Sequence, residues 1–142
     1  MRRSLLLATL LAAACGRGTD APPAIAYGQV NCDYCHMSVE VERRAAQLVP
    51  VAGRPRVFDE SGCLLHALAV AGAPEPGDRL WVHDEATGAW IDARTAFFVL
   101  PSRPPAGMMY GVLAYADRAR AAARRGEGRV VDFAAALAAV RS

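Results

Sequence analysis

Apolar and polar residues change their period several times along the chain, and each change marks an element. Gln47-Leu48-Val49-Pro50-Val51 and Arg56-Val57-Phe58 flank the Gly53-Arg54-Pro55 turn and predict two short strands. From Ser61 the period becomes helical. Leu64, Leu65 and Leu68 share a face, Ser61 is placed to cap it, and Gly72 and Pro74 end the helix near Ala71. Arg79 to Asp84 alternates, Glu85-Ala86-Thr87-Gly88 turns, and Ala89-Trp90-Ile91-Asp92 returns, which is a hairpin signal. Thr95 to Leu100 is an apolar run short enough for a buried strand, and Gly111 to Tyr115 predicts another. Asp117 can cap a helix to Arg125 that Gly126 and Gly128 close, Arg129-Val130-Val131 is strand-like, and Phe133, Leu137 and Val140 recur at helical spacing. The order is strand–strand–helix–strand and then roughly the same again. It predicts an α+β fold, a small mixed domain of two similar halves.

The start of the chain has another character. Met1-Arg2-Arg3 precedes a short apolar run from Leu5 to Ala14, the pattern of a secretory leader too short to span a bilayer. Leu11-Ala12-Ala13-Ala14-Cys15-Gly16 resembles a bacterial lipobox, with Ala12 where leucine is usual. On that basis residues 1–14 are a lipoprotein signal peptide and Cys15 is the lipidation site; the plainer alternative removes Cys15 with the leader. Residues 15–30, rich in Gly, Ala and Pro, are expected to be a flexible tether, and residues 31–142 the domain. The chain has 16 Arg and no Lys; losing Arg2 and Arg3 leaves 14 against 14 Asp and Glu, and no basic stripe argues for nucleic acid. Beyond Cys15 three cysteines remain, too few for a disulfide scaffold and suggestive of reactive or metal-bound thiols.

The chemistry gathers in Cys32-Asp33-Tyr34-Cys35-His36-Met37. Two thiols, an imidazole and a thioether so close together can point at one atom, and soft sulfur donors with a thioether among them favour Cu(I). The same letters also permit covalent haem through Cys32-x-x-Cys35-His36, half of a zinc site, a redox dithiol or a short disulfide. Met108 and Met109 end a proline-rich loop, and at least one could fold back onto Cys35 and Met37; core filling is the alternative. Cys63 and His66 lie one helical turn apart with no third ligand on that helix, so they are expected to be packing residues. His83 is expected at a half-exposed strand position, with Trp81 and Trp90 as packing residues. The three histidines supply no acid–base pair or nucleophile–base set, so an enzyme is not expected.

Taken together these segments resemble the NosL family of copper-binding lipoproteins, which accompany nitrous oxide reductase maturation. The likeness rests on Cys32 to Met37, Phe58-Asp59 before a helix, Trp81-Val82-His83-Asp84 through Trp90-Ile91-Asp92-Ala93, and Gly107-Met108-Met109-Tyr110-Gly111 before an Ala-Tyr strand. The resemblance implies two similar α+β halves and a lipid-anchored protein on the periplasmic face of a bacterial membrane, the outer membrane. It implies one bound Cu(I), passed to a membrane ABC-type maturation complex and through it to the reductase. By position it implies Cys35 and Met37 as ligands, with Cys32 behind them and Met108 from the later loop. Two departures stand out: His36 where the family usually has Gly, and Gly107-Met108-Met109 where it tends to have Pro-Met-Gly, which leaves Met108 or Met109 open. His36 is an extra ligand or faces water. The runner-up is a c-type haem lipoprotein for electron transfer.

Overall fold

A computed structural model describes residues 21–106 and 108–141. The leader, Cys15 and Gly107 lie outside them. Among the described residues, seven strands and three α-helices follow the predicted order: β1 (Ala46–Val49), β2 (Arg56–Phe58), α1 (Ser61–Ala71), β3 (Arg79–His83), β4 (Trp90–Asp92), β5 (Phe97–Pro101), β6 (Leu113–Tyr115), α2 (Arg118–Ala123), β7 (Gly128–Asp132) and α3 (Phe133–Arg141). The first antiparallel sheet has the order β2-β1-β3-β4 and the second β6-β5-β7. In each half the first strand sits between the second and the third, with a helix joining those two. The halves therefore repeat strand–strand–helix–strand, the first adding β4 and the second α3.

Register explains the layers. Ala46 pairs with Val82 and Leu48 with Leu80, so alternation puts all four on one face of the first sheet. They share a buried cluster with Leu64, Leu65 and Leu68 of α1. On the opposite face Gln47 is buried and donates from Nε2 to the Pro23 carbonyl, 2.8 Å away. Ile25, Tyr27 and Val30, within the stretch read as a tether, pack against the same core. In the second sheet Phe98, Ala114 and Val131 are in register and face the main core. Val99, paired with Leu113 and Val130, turns the other way with Tyr115 and meets Ala121 of α2. α3 brings Phe133 to within 6.4 Å of the Phe98 ring, closing one core that both halves share.

Local details depart from expectation at two places. Ser61 does not cap α1: Glu60 is the N-cap residue, and its carboxylate is used elsewhere. His83 is not half-exposed. It is 4% exposed at the end of β3, with Nδ1 2.9 Å from the Gly88 carbonyl and its ring tilted against Trp90, centroids 3.7 Å apart. The tight Asp84–Gly88 turn folds that carbonyl back over the imidazole. Asp117 does cap α2, its Oδ1 accepting from the Ala119 and Arg120 N–H groups. Among the described residues no helix is long and apolar enough to cross a membrane.

Candidate metal centre

The segment before β1 folds back on itself. Gly28 N–H donates to the Val39 carbonyl, Val39 N–H to Val30, and Cys32 N–H to Met37, with Asn31 bridged to Ser38. Asp33 to His36 form the tip, where His36 N–H reaches the Cys32 carbonyl at 3.1 Å. His36 closes that turn with φ +64°, left-handed backbone that favours glycine. Asp33 clamps the tip to β2: its N–H donates to the Val57 carbonyl and its Oδ2 accepts from Val57 N–H, both at 2.8 Å. Burial opposes ionisation of this carboxyl, but the paired Arg54 guanidinium and the Val57 N–H outweigh it and hold the pKa below its usual value.

That clamp sets the thiols beside the β2–α1 junction. Cys32, Cys35, Asp59 and Cys63 each offer a ligand atom, and these atoms all lie within 4.8 Å of one another. Cys32 is 1% exposed and Cys63 0%; Cys35 is half-buried, its Sγ 3.3 Å from Asp59 Oδ1. All three cysteines are unbridged. Cys63 lies in the core as its spacing predicts, and there it also meets the hairpin cysteines and Asp59. The donors that complete its site come from the hairpin and from Asp59, not from its own helix. His66 turns instead onto Tyr110, with ring centroids 3.8 Å apart.

The thiols are unequal. Cys32 Sγ accepts hydrogen bonds from the Cys63 thiol and from the backbone N–H groups of Cys35, Asp59 and Tyr34, which outweigh burial and pull its pKa down to about 6. Cys63, donating a hydrogen bond to Cys32 Sγ from a buried position, keeps its proton, and its pKa is pushed well above the ordinary thiol value. Burial raises Cys35 to about 11.

The methionines stand to one side. Met37 is 50% exposed, and with Met108 it walls a cavity of about 230 Å³ whose other lining residues include Asp59, Glu60, Glu40 and Arg44. Asp59 therefore borders both the thiols and the thioethers. Met109, 42% exposed, stands outside this lining, and His36 is exposed at the hairpin tip. Glu60 brings Met108 here, although the sequence reading did not single it out. Buried at the start of α1, its two carboxylate oxygens accept the Tyr110 and Gly111 N–H groups at 2.7 and 2.8 Å. Burial raises its pKa, although these two N–H groups favour the ionised form. Gly62 permits the approach, since a Cβ there would lie 2.5 Å from Tyr110 Cβ.

A covalent haem does not suit this geometry. Cys32 Sγ is enclosed by Cys63 and three backbone N–H groups, so thioether formation there would require the hairpin to leave α1.

No curated protein matches the sequence significantly. Among solved structures, the crystal structure of the copper chaperone NosL from Shewanella denitrificans is similar in fold, with a TM-score of 0.60 and 21% identity over 80% of this chain and 96% of that one. The NosL family model matches residues 24–139, from before the hairpin into α3, and so takes in both halves and every donor described above. The chain belongs to the NosL family.

Proposed function

We propose that this protein is a copper-binding chaperone rather than an enzyme, carrying Cu(I) as cargo. What supports this most is a single juxtaposition: three thiol sulfurs and a carboxylate within 4.8 Å, opening beside a cavity that Met37 and Met108 share. Thiolates hold Cu(I) tightly, whereas neutral thioethers bind it without deprotonation and release it easily. Cys35 and Cys32 form the tight part of the site, and Met37 and Met108 the exchangeable part facing solvent. A partner's sulfur or imidazole enters as a thioether leaves, so the ion is never set free.

Membership of the family and the lipobox at Cys15 support the wider reading. The chain is lipid-anchored at the periplasmic face of the outer membrane. It hands copper to a membrane ABC-type complex that matures nitrous oxide reductase. The anchor confines the search for that partner to the membrane surface and raises the effective concentration.

Competition of the reduced chain with a chromophoric Cu(I) chelator tests the cargo. One Cu(I) per chain is expected, lost in Cys35→Ser; a chain that leaves all copper with the chelator ends the reading. Delivery is tested in cells lacking the gene, where reductase isolated with full copper content would exclude that recipient. An intense Soret band in the purified protein would favour haem instead.

A further inference from the structure

A cavity of about 800 Å³ lies between α1, α3 and the β5–β7 side of the second sheet, and shares no residue with the thiol centre or the Met37–Met108 cavity. Its volume falls within the roughly 300–1,000 Å³ of small-ligand sites. The floor is apolar. Val112 is buried, Leu100 and Val140 are half-buried, and Pro101 and Pro104 add walls whose backbone is already fixed. His66 and Tyr110 close one side as a stacked pair, and burial lowers the His66 pKa, so this side is uncharged at neutral pH. Arg129 is the one cation of the lining. It pairs with Leu100 two residues from Val131, which puts it on the core-facing side of the second sheet. It is exposed there, and among the described residues no carboxylate pairs with it. Arg103, also exposed, stands between the lining residues Ser102 and Pro104. Beyond residue 95 the chain has seven arginines and three carboxylates, and all three carboxylates are committed. Asp117 caps α2, Asp132 accepts from Ala135 N–H, and Glu127 pairs with Arg124 at 3.2 Å. Residues 21–94 reverse the balance with six arginines and ten carboxylates, so the cavity sits in the cationic half.

We propose that this cavity holds one acyl chain of an anionic phospholipid, with the lipid phosphate against Arg129 and Arg103 at the rim. The two parts of such a molecule match the two parts of the site. A free phosphate would leave the apolar floor unfilled, and a zwitterionic lipid would offset the arginines with its own cation. The planar guanidinium can meet a phosphate through two parallel hydrogen bonds, which a point charge cannot. Arginines near an anionic bilayer add to the attraction, and salt screens it. Occupied, the site seats the second half of the domain on the bilayer and so sets how the Cys32–Cys35 hairpin is presented to a partner. The bilayer is the one that the Cys15 anchor of the proposed function supplies; the copper cargo plays no part in the argument.

The experiment places the full chain in phosphatidylcholine vesicles that contain a small fraction of phosphatidylglycerol with a photoreactive acyl chain, and locates the labelled residues by mass spectrometry. Labels are expected on residues 100–104 and on Val140, and are expected to disappear when the photoreactive lipid is phosphatidylcholine. Arg129→Ser should lower the labelling about fivefold, the ordinary worth of one arginine beside an anionic lipid surface, and Arg129→Glu should lower it further. Val140→Trp should block the cavity, but Val140 packs against the core and its variant risks misfolding. Exposed Arg129 therefore carries the test, with circular dichroism confirming the fold. Inorganic phosphate titrated alone is expected to show no saturable binding; saturation that Arg129→Ser removes would make this a site for the free anion and overturn the lipid. Equal labelling by both lipids, labels confined to other residues, or unchanged labelling in folded Arg129→Ser also overturns the proposal. Failure here leaves the cargo reading untouched, and a chain that ignores Cu(I) yet is labelled as expected would end the cargo reading and leave this one standing.

Discussion

His36 shows how one backbone angle can outweigh a side chain's chemistry. An imidazole next to Cys35 invites assignment as a ligand, but its φ of +64° and its exposure make the conformation its structural signature. Non-glycine residues lose roughly 1–2 kcal/mol there. His36→Gly is therefore expected to stabilise the fold by about 1 kcal/mol, read as a rise in denaturation midpoint. If copper affinity also falls in that variant, the imidazole is a ligand after all. The thioethers are tested by Met37→Leu and Met108→Leu, which keep apolar bulk and remove the sulfur. Each is expected to weaken Cu(I) about tenfold, or ~1.4 kcal/mol. Stability at the half-exposed Met37 should change by less than about 0.5 kcal/mol. Equal chelator competition by wild type and both variants would exclude the thioethers. Oxidation gives a third residue-level outcome, because only thiolates ligate. Joining Cys32 to either neighbouring cysteine should abolish copper uptake, and equal stoichiometry in oxidised and reduced protein would remove Cys32 from the site.

At the scale of elements, the site exists because three separate pieces are pinned to one junction. Asp33 ties the hairpin to β2, α1 starts at Ser61 beside Asp59, and Glu60 ties the loop after β5 to the start of α1. Glu60→Gln removes one of two charge-assisted acceptors. It should cost about 1.5–3 kcal/mol and let the Met108 loop swing away. Copper affinity then falls to that of Met108→Leu, and the double variant should be no weaker than the single ones, since both remove the same ligand. Additive losses would show that Glu60 acts by some other route than placing Met108.

For the whole molecule, the pH dependence of stability follows from a buried histidine at the end of β3. Burial lowers the pKa of His83 below its usual 6.5, and the Gly88 carbonyl only partly compensates. As pH falls, the unfolded chain takes up this proton first, so its stability contribution is present above about pH 6.5 and is lost as pH drops toward the folded pKa. Burial lowers His66 in the same direction. Denaturation midpoints should decline from pH 7.5 to pH 5, and His83→Gln should flatten that decline. An unchanged slope in the variant would assign the effect elsewhere.

The sequence by itself determined the elements, their order and the repeated halves, because period and turn chemistry are local properties of neighbouring residues. Phe97 to Leu100 was legible as a buried strand, and Asp117 as a helix cap, for that reason. It also marked the Cys32–Met37 segment, since donors within six residues need no folding to be recognised. Only the tertiary structure decided what completes the centre. Cys63 is core, as its helix suggested, but it also lies beside Cys32, Cys35 and Asp59, and Asp59 and Glu60 looked like ordinary acids before a helix. Their roles come from strand pairing and helix docking that bring the hairpin, the β2–α1 junction and the Met108 loop together. Such contacts depend on the packing of the whole chain, which no local spacing encodes.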